Sequence, residues 1–144
     1  MKIKYETNIA TFVQFIVMSL LAIANGLKSI IVDCVKNPSD CVGDVFTNFI
    51  LFMLTVFFFA NVWILGYVAH DRRSPRLAAL LIALEAGIIT VALFNARHYT
   101  DYLGLATSII DTVLAIWVIL SCVLLIQHKG KRTVVRRAGR RRRR

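Results

Sequence analysis

The stretch RLAALLIALEAGIITVALFN, residues 76–95, decides the class of this protein. Between Arg76 and Asn95 its one ionisable side chain is Glu85. A run of this length and apolarity matches the roughly 20 residues that a helix needs to cross about 30 Å of hydrocarbon. An ionisable group at the centre of such a span costs about 2.5–3.5 kcal/mol on insertion scales and turns toward protein or a water-filled cavity. The stretch therefore predicts a membrane span, and it predicts polar company for Glu85.

Working outward, apolar runs place four spans at 9–32, 45–69, 77–95 and 105–127. The 144 residues are 58% hydrophobic, with a mean hydropathy of +0.67; soluble domains hold about 45–50% apolar residues even with glycine counted. Little chain lies outside these runs. The expected architecture is an all-α integral membrane protein, a four-transmembrane-helix bundle over 1–128 followed by a disordered polybasic tail over 129–144. No phosphate loop, dinucleotide fingerprint or metalloprotease helix occurs, and His70, His98 and His128 all fall at span ends. A non-enzymatic protein without cofactor or metal site is expected.

Charge sets the expected threading. Lys and Arg beside span ends favour the cytoplasmic side. Lys2 and Lys4, then Arg72, Arg73 and Arg76 of the second loop, then the tail all fall on one side of a four-span path. Both termini are therefore expected to be cytoplasmic, in a plasma membrane or a bacterial inner membrane. The tail carries Lys129, Lys131, Arg132, Arg136, Arg137, Arg140, Arg141, Arg142, Arg143 and Arg144 and no acid, so it holds all the net charge of +10. Basic juxtamembrane clusters bind anionic lipid headgroups at about 1 kcal/mol per residue. An acidic protein partner is a second reading of the tail, and RNA or ribosome attachment through phosphates a third.

Cys34 and Cys41 bracket the first loop, CVKNPSDC, which this threading puts outside, where disulfides persist. A short-loop disulfide is the preferred reading, with two free thiols as the alternative; Cys122 reads as a packing residue. The Ala22-Ile23-Ala24 segment faintly resembles a signal-peptide cleavage site, but the apolar run continues beyond it to Val32, so a retained first span is expected.

The polar residues inside the spans are the candidate site. Counting from the inner ends at about 1.5 Å per residue, Glu85 and Asn61 both reach roughly 12 Å in, which suggests an Asn61–Glu85 hydrogen bond. Thr11, Gln14, Ala22, Asn25, Gly26 and Ser29 fall within about 120° of one another on the first span. Gly104, Ser108, Asp111, Thr112, Ala115 and Cys122 share a face of the fourth. Lys28 and Asp111 lie in the outer parts of their spans and suggest a pair. On the third span, Ala79, Ala83, Ala86, Gly87 and Thr90 form a small-residue stripe of the kind that lets helices approach closely, about 140° round the helix from Glu85.

Two functions fit. The first is helix–helix association, as an accessory or scaffold subunit of a membrane assembly or as a homo-oligomer. The second is a small oligomeric proton-coupled transporter or channel using Glu85. A membrane anchor for RNA or ribosomes through the arginines is a further alternative.

Overall fold

The structure is a computed structural model that describes residues 6–39, 41–98 and 101–141, with side chains described as far as His128. Four helices follow one another: α1 (Thr7–Lys36), α2 (Cys41–Asp71), α3 (Pro75–Ala96) and α4 (Tyr102–Arg141). All four are long and apolar enough to cross a membrane, α4 through its Tyr102–His128 part. They form a ring in chain order. α1 lies mainly on α2 and α3 mainly on α4, with lighter α1–α4 and α2–α3 seams closing it.

The helices overrun the apolar stretches because caps and turns, not the edge of the hydrocarbon, end them. α1 ends at Asn37, whose backbone N–H donates to the Asp33 carbonyl at 2.8 Å. Cys34 and Cys41 are disulfide-bonded across this corner, with Cα atoms 4.8 Å apart. Between α2 and α3 the chain turns through Arg73 in the left-handed region, at φ 45°. Ser74 then caps α3 by accepting from the Leu77 N–H at 3.5 Å, and Pro75 follows at the first helical position, where a missing N–H costs nothing.

The largest difference from expectation is at the end of α4. Charge density predicts disorder after residue 128, yet the backbone stays helical to Arg141. Extending an existing helix carries no nucleation cost, and Lys, Arg and Ala all propagate helices well. The side chains from Lys129 onward, and Arg142, Arg143 and Arg144 altogether, lie outside the described residues.

The bundle is small inside and large outside. One core cluster joins Ala10, Val62, Ala78, Leu81, Val118 and Cys122, and a second joins Met18, Phe59 and Leu114. Bulky side chains such as Leu20, Phe46, Phe57, Phe94 and Leu120 face outward. Lipid tails are as apolar as leucine, so close packing of small residues holds such helices together in a membrane. α1 and α2 approach closely at Gly66 of α2, against which Thr11 of α1 is seated. Trp63, one turn away, stacks on Phe15 at 5.7 Å and tilts against Phe12 at 5.2 Å.

Candidate functional site

Glu85 is carried inward by the helical repeat of α3, which buries Ala78, Leu81, Glu85 and Ala92 on one face. Its side chain has no exposed surface, and neither has Gln14 on the buried face of α1. The Gln14 amide Nε2 donates to Glu85 Oε2 at 2.9 Å. The same amide stands against Asp111 of α4, whose carboxyl lies within electrostatic reach of Glu85. Three helices thus meet at one buried polar point, with an amide between two carboxyls.

Donors are scarce at this point. Gln14 Oε1, Glu85 Oε1 and Asp111 Oδ1 are buried and have no hydrogen-bond partner among the described residues. One amide offers two N–H groups, whereas two carboxyls and an amide oxygen offer five acceptors.

Polar side chains of α1 continue away from the cluster in both directions. Toward the N-terminal end of α1, Thr11 and Thr7 are buried, Thr11 Oγ1 donates to the Thr7 carbonyl at 2.9 Å, and Thr7 approaches Cys122. Toward the other end, Asn25 Nδ2 donates to Thr107 Oγ1 at 2.9 Å and to the Leu21 carbonyl at 2.9 Å. Ser29 there donates to Asp33 at 2.9 Å. Lys28 forms an ion pair with Asp101, just before α4, and this partner holds the Asp101 carboxyl below its ordinary range.

Two expected pairings are corrected. Asn61 does not reach Glu85: it is exposed on α2, with Nδ2 donating to the Phe57 carbonyl at 2.7 Å. Equal depth fixes the level of a residue but not its direction, and Asn61 points roughly 120° away from the Phe59–Val62–Gly66–Ala69 face that α2 buries. It sits on the flank opposite Trp63, hence on the side of α3. Lys28 does not pair with Asp111 either, because Asp111 is turned to the bundle interior while Asp101 stands just before α4 within reach of the ammonium. Residue spacing alone missed Thr107, Asp101 and Thr7. Thr107 and Asp101 do lie within a turn of the α4 polar face, a signal that antiparallel pairing of α1 with α4 turns into contacts.

The small-residue stripe of α3 faces away from the described part of the bundle. Ala79, Ala83, Ala86, Gly87 and Thr90 are all exposed. A Cβ built on Gly87 would meet nothing within 4 Å. At 100° per residue the stripe points about 150° away from the buried face of α3. Asn61 lies at a similar depth: it stands ten residues from Asp71, as Glu85 stands ten from Pro75, or about 15 Å along each helix.

No protein-family model matches the chain, and no curated protein or solved structure is detectably similar to it.

Proposed function

We propose that this is a non-enzymatic integral membrane protein that acts by helix–helix association through the outward face of α3. It serves as an accessory or scaffold subunit of a membrane assembly, or as a homo-oligomer. The observation that carries the reading is the exposed stripe of Ala79, Ala83, Ala86, Gly87 and Thr90 on a helix whose opposite face is already packed. Without a hydrophobic force between helices in lipid, small residues that let backbones approach are what drives association. Asn61, an amide at mid-membrane depth outside the bundle, supplies a hydrogen-bonding group near the same surface.

In this reading Glu85 works within the chain, tying α3 to α1 through Gln14. Both termini are cytoplasmic by the distribution of Lys and Arg. The basic segment after His128 then lies against anionic headgroups, with an acidic partner or an RNA phosphate backbone as the other claimants.

The test is the mass of the intact complex extracted gently from its native membrane, compared between wild type and Gly87→Leu. Leucine at 87 fills the space that a partner helix needs and leaves the bundle core untouched. A complex larger than one chain that falls apart in the variant supports the reading. A monomer in both, or a complex indifferent to the substitution, contradicts it. The second function, transport through Glu85, predicts the opposite sensitivity: loss of pH-dependent flux in Glu85→Gln and none in Gly87→Leu.

A further inference from the structure

Helix association leaves the composition of the interior cluster unexplained. A carboxyl that only ties helices together needs one donor, and Gln14 supplies it to Glu85. Asp111 adds a second carboxyl to the same point, and three oxygens from three different helices remain buried without partners. Buried polar atoms are almost always hydrogen-bonded, so an unpaired set that converges from separate helices points to something that it holds.

The oxygen of Gln14 is the most telling of the three. It belongs to a fully buried side chain whose nitrogen end is fixed on Glu85 at 2.9 Å, and it has no partner of its own among the described residues. An amide oxygen and two carboxyl oxygens are hard ligands, suited to a small cation.

The charges around the cluster are equally one-sided. On α4 the titratable side chains within electrostatic reach of Glu85 are Asp111 and Cys122. The buried face of α1 offers Thr7, Ala10, Thr11, Gln14 and Met18, and that of α2 offers Phe59, Val62, Gly66 and Ala69. Neither set brings a positive charge. Lys28 is fourteen residues along α1 from Gln14, roughly 21 Å, and is held by Asp101.

We propose that Gln14, Glu85 and Asp111 form a binding site for one monovalent cation, a proton or an alkali-metal ion, at the centre of the bundle. A bound proton turns one carboxyl into an O–H donor that reaches an oxygen now without a partner. A bound alkali-metal ion replaces that proton and takes the free oxygens as ligands. Among the described residues no third His, Cys, Asp or Glu joins the two carboxyls, which leaves fewer oxygens than the six or more that calcium takes.

The experiment is infrared difference spectroscopy of the full chain in liposomes, following the C=O stretch of protonated carboxyls. Spectra are taken over a pH series from about 6 upward, where exposed carboxyls are already ionised, with a bulky organic cation as the only salt, then at fixed pH with sodium or potassium added. The expected result is a protonated-carboxyl band that rises and falls with pH, shifts its midpoint in Glu85→Gln or Asp111→Asn, and vanishes in the double variant. Loss of at least half the band on adding sodium or potassium identifies an alkali-metal ion as a competing ligand. A band that ignores both ions assigns the site to the proton alone. A wild-type spectrum with no pH-dependent carboxyl band and no response to either ion overturns the proposal, and that outcome requires no variant to fold. A band unchanged in a double variant that keeps its helical circular dichroism overturns it equally.

Discussion

Gly66→Ala adds a single methyl group and strains the bundle. A Cβ at 66 would stand 2.5 Å from Thr11 Cγ2 and 2.9 Å from Thr11 Cβ, and would also collide with the hydroxyl. Thr11 cannot step aside cheaply, because it is fully buried and its hydroxyl is bonded to the Thr7 carbonyl at 2.9 Å. Either the hydroxyl rotates and loses that bond, or α1 and α2 move apart. Overpacking of this kind costs about 1–3 kcal/mol. The usual helical advantage of alanine over glycine offers little relief, since transmembrane helices persist in the membrane-unfolded reference state. A loss of about 2 kcal/mol lowers the folded-to-unfolded ratio roughly thirtyfold.

The assay is unfolding in mixed micelles by titration with SDS, read by tryptophan fluorescence; Trp63 reports on this seam through its contacts with Phe12 and Phe15. Gly26→Ala and Gly87→Ala are the controls, because a Cβ at either position meets nothing within 4 Å. Both should stay within about 0.5 kcal/mol of wild type. Adding Thr11→Ala to Gly66→Ala removes the two nearest atoms and should recover much of the loss. A Gly66→Ala protein as stable as Gly87→Ala would refute the reasoning, since the α1–α2 seam would then not be the close contact described.

Glu85→Leu leaves the Gln14 amide without its acceptor and should destabilise the bundle by about 1–2 kcal/mol in the same assay, whereas Glu85→Gln keeps an acceptor and should cost less. Reducing the Cys34–Cys41 bond, or replacing both with serine, frees a short loop; the chain-entropy limit for its seven-residue separation is about 2.5 kcal/mol, and the measured loss should not exceed it. The Asp101 carboxyl is held below its ordinary value by Lys28, so the pair stabilises the fold above the unfolded pKa near 3.8 and loses its effect as pH falls through the lower folded value. Thermal stability of wild type and Asp101→Asn should therefore converge in acid and in high salt. A gap that widens as pH falls would contradict that assignment.

The four helices were legible because hydrocarbon thickness demands long apolar runs, and few other features write themselves so plainly into a chain. Their ends were less so: Ser74 and the turn at Arg73 start and stop helices by local hydrogen bonding that hydropathy does not register. The inward direction of Glu85 follows from the cost of a carboxyl facing lipid, but its neighbours depend on which helices adjoin. Depth alone favoured Asn61, which shares the level of Glu85 and points elsewhere. Gln14 and Asp111 lie on polar faces visible in the sequence, and it is the ring order of the helices that joins them to Glu85. The outward aim of the α3 stripe was hidden for the same reason, since a close-approach face reads identically whether its partner is in the chain or beyond it.

Site-specific photo-crosslinking in the native membrane tests the proposed association face most directly. A photoreactive residue is placed at Ala83, in the middle of the α3 stripe, and for comparison at Ile116, which is exposed on α4. Association through α3 predicts an adduct of defined mass from position 83, to a second copy or to a partner subunit, and only lipid adducts from position 116. The same lipid adducts from both positions would mean that the stripe faces the bilayer, and the proposed function would be wrong.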